Sequence, residues 1–180
     1  MKIRKIFCVS TTMLVLFFLA CSDDDNAPQN PINQLPEATQ TGENTFGCLL
    51  DGEVFIPGGG TNPLDCVYQF VDGGYYFNLQ GNNKDEDFNR TRLSLSTNAK
   101  ELDEGQTYQL LENEEWNAFA RFSYNANATF TSQNNSGTLT ITKLDLTNQI
   151  ISGYFSFDII DFEGNLRKIR EGRFDMQFTQ

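Results

Sequence analysis

Apolar and polar residues alternate with a period of two along most of the chain beyond residue 45. In "YYFNLQ" (75–80) Tyr75, Phe77 and Leu79 take one face against Tyr76, Asn78 and Gln80. "RLSLS" (92–96) sets Leu93 and Leu95 against serines, and "GTLTITK" (137–143) sets Leu139 and Ile141 against threonines. "SGYFSFDII" (152–160) places Phe155, Phe157 and Ile159 opposite Tyr154, Ser156 and Asp158. "GRFDMQF" (172–178) places Phe174, Met176 and Phe178 opposite Arg173, Asp175 and Gln177. In "WNAFARFSYN" (116–125), Trp116, Ala118, Ala120, Phe122 and Tyr124 share a face, with Phe119 the exception. Each pattern predicts a strand with one buried and one polar face, and β-branched and aromatic residues support it. "VDGGY" (71–75), "LTNQI" (146–150) and "DFEGN" (161–165) supply turns between them. The expectation is an all-β fold: a single antiparallel β-sandwich or barrel-like domain of roughly nine or ten strands, spanning residues 45–180.

The first 44 residues follow another pattern. Lys2, Arg4 and Lys5 precede a mostly apolar run from Ile6 to Ala20. That run is shorter than the roughly 20 residues a membrane-spanning helix needs, and its layout is that of a secretory signal peptide over residues 1–20. Cys21 directly after Ala20 makes the segment resemble a bacterial lipoprotein signal, which implies lipidation of Cys21 and a membrane attachment through lipid chains. "CSDDD", with Ser22, Asp23, Asp24 and Asp25, resembles the export signal that sends Bacteroidota lipoproteins to the outer face of the outer membrane. The expected localisation is therefore the outer membrane, lipid-anchored and facing the exterior; the alternative is a periplasm-facing lipoprotein in which the aspartates are a solvated acidic spacer. Residues 21–44 hold three of the five prolines and few large apolar side chains, the composition of a flexible linker. Its last part, "LPEATQTG", has the alternative of lying along the domain with Leu35 as anchor.

Charge and composition narrow the chemistry. The net charge is −11, and loss of the three basic residues before position 21 makes it −14. Nucleic acid is excluded as a partner on this ground, since phosphates demand clustered Lys and Arg. The chain has no histidine, which removes Ser-His-Asp and Cys-His nucleophiles and imidazole zinc sites. Cys48 and Cys66 remain once the leader is gone and Cys21 is lipidated. In an oxidising compartment they are expected to pair as a disulfide. A free or metal-binding pair is the competing view, although two thiolates without further soft ligands make a poor zinc site.

Three groups of residues were candidates for a site. Asn83, Asp85 and Asp87 alternate as in a calcium loop, but Phe88 and Ser94 stand where an EF-hand needs Gly and Glu. This makes a weak calcium candidate, with a solvated hairpin tip as the default and no cofactor or metal expected. Glu112, Glu114 and Glu115 beside Trp116 offer carboxylates for a hydrolase, whose two acids must stand about 5–9 Å apart; a catalytic role is not the expectation. The 16 Phe, six Tyr and single Trp are a surplus. Tyr76, Trp116 and Tyr154 are the aromatics whose faces the alternation leaves ambiguous, and they are the candidate ligand-facing side chains, with Asn and Gln to bind sugar hydroxyls.

From Leu35 to the end the chain resembles an uncharacterised Bacteroidota lipoprotein family. The stretches that carry this are "LPEATQTGENTFGCLLDGEVFIP" (35–57) and "GTLTITKLDLTNQIISGYFSFDIIDFEGNLRKIREGRF" (137–174). The resemblance implies lipidation and a single β domain, and it implies no activity or ligand. The functional expectation is a non-catalytic binding or accessory module for a glycan or protein. The alternative is a structural or assembly component of the cell envelope.

Overall fold

The computed structural model describes residues 30–180. The expected signal peptide, lipidated Cys21 and export residues Ser22 and Asp23–Asp25 lie outside the described residues. Eleven strands follow a short 3₁₀ turn at Pro31–Gln34: β1 (Thr45–Leu50), β2 (Glu53–Phe55), β3 (Leu64–Val71), β4 (Gly74–Lys84), β5 (Arg90–Thr97), β6 (Thr107–Leu110), β7 (Ala118–Tyr124), β8 (Asn127–Phe130), β9 (Gly137–Asp145), β10 (Ile150–Ile160) and β11 (Leu166–Gln177). Among the described residues no helix is long and apolar enough to cross a membrane.

The fold is all-β, with every expected alternation falling within or across one of these strands. It is a single sheet in the order β2-β1-β11-β10-β9-β6-β7-β5-β4-β3, with β8 added to β7. Only the β6–β7 pair is parallel. The strands form one continuous sheet whose ladder does not close. Instead the sheet curls until its ends approach. Tyr68 on β3 donates its N–H to the Thr179 carbonyl at 2.9 Å, and Thr179 donates back to Cys66 at 3.0 Å. Inside this curl lies one core, to which strands from both ends of the order contribute: Phe46, Leu79, Leu95, Phe122, Ile141 and Phe157 are all buried. Phe77 of β4 meets Phe174 of β11 with ring centroids 6.3 Å apart, the contact expected across a curled interior. The β3–β4 hairpin turns at Asp72 and Gly73, both with positive φ, the backbone that a two-residue Asp-Gly turn supplies at low cost.

Three expectations are corrected by the fold. Cys48 and Cys66 form no disulfide; both are free, buried thiols. Cys48 lies opposite Phe55 on β2 and Cys66 opposite Leu79 on β4, and their strands are not neighbours in the sheet. Each serves as a small apolar filler of an inward position. Burial pushes both thiols far above the ordinary cysteine range, with the charge of Asp65 adding to the effect at Cys66, so neither is a ready nucleophile. Trp116 does not share the inward face of Ala118 and Ala120. It precedes β7 in a turn, at φ 70°, and is 62% exposed. Finally, residues 35–44 are not free linker. Leu35 is buried at 7% exposure, the docked alternative foreseen for this stretch, and the chain from there to β1 packs on the sheet.

Candidate functional site

The docked segment is held by one carboxylate. Asp175 sits between inward-facing Phe174 and Met176, so strand geometry turns it to the outer face. There residues 39–43 cover it completely, and its exposure is 0%. It accepts hydrogen bonds from Thr39 Oγ1 at 2.6 Å, Thr41 N at 3.0 Å, Gly42 N at 2.9 Å, Glu43 N at 3.2 Å and Ser152 Oγ at 2.7 Å. Burial alone would raise this carboxyl. The donors from Thr39, Ser152, Thr41 and Gly42 outweigh it and hold the group down at about 2. A buried charge with all its partners in place is a strong local tie.

This tie sets one rim of a cleft on the outer face of β9, β10 and β11. The cleft has a volume of about 410 Å³ and is lined by Ala38 of the docked segment together with Thr138, Thr140, Tyr154, Ser156 and Arg173, among others. Tyr154 is directly opposite Thr140 on β9 and Arg173 on β11, so the three side chains form one row across three strands. Tyr154 is 48% exposed. Thr140 Oγ1 is 2.9 Å from Thr107 Oγ1 on β6, which continues the row.

A bulge shapes the far side of the cleft. Between the pairs Phe155–Gly172 and Phe157–Ile169, β11 carries two residues against one on β10. Glu171 absorbs the kink at φ 55°. A Cβ at Gly172 would come within 2.5 Å of the Phe155 ring, so only glycine lets the strands approach there. Arg170, on the bulge, is immobilised: it donates to the Phe157 carbonyl at 3.0 Å, the Ile169 carbonyl at 2.8 Å and Asp158 Oδ1 at 2.6 Å. Arg173 makes only a long bond, at 3.4 Å, to the Glu171 carbonyl. The cleft thus offers an accessible aromatic face, several hydroxyls and one guanidinium with donors to spare. Such a set suits a neutral or weakly acidic polyhydroxylated ligand, with the ring for stacking and the polar groups for orientation.

Of the three candidate aromatics, only Tyr154 is in this cleft. Trp116 stands alone in its turn, anchored by its N–H to the Asn98 carbonyl at 2.8 Å. Tyr76 is half-buried on the outer face of β4, its ring 3.4 Å from where a Gly74 Cβ would lie. The three do not form a common platform. The calcium candidate does not assemble either. Asp85 is occupied by Asn89, which donates its N–H at 2.8 Å and its amide at 3.1 Å, while Asn83 donates to the Ile56 carbonyl at 2.8 Å. Among the described residues no three His, Cys, Asp or Glu side chains gather as metal ligands. Glu112 is engaged by the Gln133 N–H at 2.8 Å, and Glu114 and Glu115 are exposed.

Sequence reasoning missed Asp175, Arg173 and the threonines of β9. Asp175 read as one more polar residue on a solvent face. The only hint was the run of small donors in "TQTG", whose partner lies more than 130 positions away. No protein-family model, curated protein or solved structure matches this chain.

Proposed function

We propose that this chain is a lipid-anchored binding module of the outer membrane, displayed on the cell exterior, that holds a glycan without catalysis in the Tyr154 cleft. The observation that carries the reading is Tyr154, open to solvent in a row between Thr140 and Arg173. An aromatic face flanked by hydroxyls and a guanidinium is a general means of gripping a sugar ring. The leader, Cys21 and the acidic triplet support the anchoring and the address, together with the resemblance to Bacteroidota lipoproteins. Docking of residues 35–44 on Asp175 leaves a short tether and fixes the point from which it leaves the domain.

A glycan array probed with the full chain tests the ligand. Tyr154→Ala should weaken the captured glycan at least about tenfold, equivalent to about 1.4 kcal/mol. Unchanged capture by that variant overturns the cleft. Cys21→Ser should abolish partition into detergent, and replacing Asp23–Asp25 with Ala should protect the domain from protease added to whole cells.

A structural role in the envelope draws on a different feature. Phe70, Val71 and Leu146 are exposed, and Phe70 and Leu146 line a shallow recess with Tyr75 and Gln180, an apolar end suited to a protein partner. Co-purification of one stoichiometric envelope protein, lost in Phe70→Ser and retained in Tyr154→Ala, would favour this role over the glycan reading.

A further inference from the structure

Four steps along the strand order from β10, positive charge is gathered instead of neutralised. Past residue 29 the chain carries ten Lys and Arg against 21 Asp and Glu. Four of the ten, Lys84, Arg90, Arg92 and Arg121, share the outer face of β4, β5 and β7. Lys84 and Arg90 stand directly opposite each other in the ladder, and Asn82 stands opposite Arg92. On the other side of β5, Arg92 faces Ser123 and Ser94 faces Arg121. Like charges directly across a strand pair are destabilising. In a domain with twice as many acids as bases, that repulsion is easily avoided.

The acids do not neutralise it. Among the described residues none of the four cations is within 4.0 Å of a carboxylate; the ion pairs belong to Lys143, Arg167 and Arg170. Asp85, Glu86 and Asp87 follow Lys84, but Asp85 is taken by Asn89. Asp65 on β3 faces Gln80 on β4 and is not within 4.0 Å of any of the four cations. Arg92 donates through Nε to the neutral Asn82 Oδ1. Burial, then the charges of Arg121 and Arg90, push the Arg92 pKa down. Beside it, Arg121 Nε and Ser123 Oγ are buried with no partner, and unpaired buried polar atoms are uncommon in folded domains.

The backbone makes a cleft here. Gly58 donates to the Asn82 carbonyl at 2.8 Å and its own carbonyl accepts from Lys84 N at 3.1 Å, which lays the "GGGTN" loop (58–62) along β4. Gly59, at φ 70°, would place a Cβ 2.2 Å from the Lys84 carbonyl, so the glycine run is what permits this approach. The resulting cleft has a volume of about 320 Å³, lined among others by Lys84, Arg90, Arg92, Asn62, Gln80 and Asn82. At its edge Phe88 is exposed at φ 66°, its ring centroid 4.3 Å from Lys84 Nζ.

We propose that this cleft is a second binding site, for an acidic saccharide whose sulfate or carboxylate group is held by Lys84, Arg90 and Arg92. The amides of Asn62 and Gln80 meet its hydroxyls, and the Phe88 ring borders its apolar face. An oxyanion turns the Lys84–Arg90 repulsion into a pair of charge-assisted contacts. A polyanion long enough to run beyond the cleft does not suit the domain, whereas a short acidic saccharide meets only the four cations: beyond them, six basic residues stand against 21 acids, and that field repels nucleic acid and anionic bilayers. The site is independent of the Tyr154 cleft.

The test is calorimetric titration of the full chain with a chondroitin sulfate oligosaccharide, its desulfated form, inorganic sulfate and a DNA oligomer. At least one of the two saccharides should bind, with affinity falling as salt rises, and inorganic sulfate and DNA should bind at least about tenfold more weakly. Desulfation tells which acid group is recognised. Arg90→Gln and Arg92→Gln should each weaken the saccharide at least about tenfold, while Tyr154→Ala leaves it unchanged. Without ligand, Arg90→Gln should raise Tm by about 1–2 °C, because it removes a like-charge pair. Failure of both saccharides to bind, equal binding of sulfate or DNA, unchanged affinity in both Arg variants, or a fall in Tm for Arg90→Gln each overturns the proposal.

Discussion

On β11 two of the three arginines are paired with carboxylates, and the third has only a neutral carbonyl. Arg167 donates to Asp51 at 2.8 Å and lies 3.3 Å from Asp161, Arg170 donates to Asp158 and two carbonyls, and Arg173 reaches the Glu171 carbonyl. The single buried acid on that strand, Asp175, is saturated by five donors. On β4 and β5 the same residue types behave otherwise: Lys84 faces Arg90, and Arg92 has only a neutral amide. Both regions are outer faces of one sheet, built from the same alternation. The difference is therefore in what the charges are for. Around β11 they tie loops and strands together. Around β5 they are left without carboxylate partners, at the cost that like charges across a strand pair carry, and the acidic ligand proposed for that cleft would relieve it.

The comparison can be broken most sharply at Asp175. Asp175→Asn replaces an acceptor with a donor in front of Thr39, Thr41 and Glu43, and should cost about 3 kcal/mol. For a domain of this size that lowers Tm by about 6–12 °C, and limited proteolysis should then cut within residues 35–44. An intact segment with unchanged Tm would show that the carboxylate holds nothing. Next in size is the response to acid. The folded carboxyl titrates at about 2, below the ordinary aspartate value near 3.9, so its contribution is fully present above about pH 4 and is lost as pH falls from there through 2. The contribution is about 2.5 kcal/mol. Urea unfolding between pH 6 and 2 should show this decline in the wild type and a flatter profile in Asp175→Asn; parallel profiles would assign the acid sensitivity elsewhere. Asp158→Asn should cost only about 0.5 kcal/mol, because its pair with Arg170 is partly exposed and Arg170 keeps its two carbonyls. Arg90→Gln should move stability by a similar amount in the opposite direction. If both substitutions destabilise alike, the two faces do not differ in kind.

The alternation of apolar and polar residues determined a good deal by itself. It left the face of Tyr154 open and did not identify the short β6 and β8, but it identified β4, β5, β7, β9, β10 and β11, together with the inward-facing Phe77, Leu95, Phe122, Ile141 and Phe157 and the Asp72–Gly73 turn. These follow from a local rule, because successive side chains leave a strand on opposite faces wherever the strand lies. What lies over a face, and which strand lies beside it, are not local. Asp175 and Gln177 are both outward by the same rule, yet only Asp175 is covered, because a segment more than 130 positions earlier folds back over it. Trp116 obeyed the period but fell outside the strand, since it lies in the Glu115–Trp116 turn, where its left-handed backbone breaks the alternation. Cys48 and Cys66 were expected to pair because they are the two left in an oxidising compartment, but both are free thiols on strands that are not neighbours in the sheet. Lys84, Arg90, Arg92 and Arg121 are scattered along the chain, and only the pairing of β4 with β5 and of β5 with β7 brings them together. Periodicity told which side of the sheet each residue occupies, and tertiary register alone decided its company there, because hydrogen-bonded pairing joins residues with no regard to their distance along the chain.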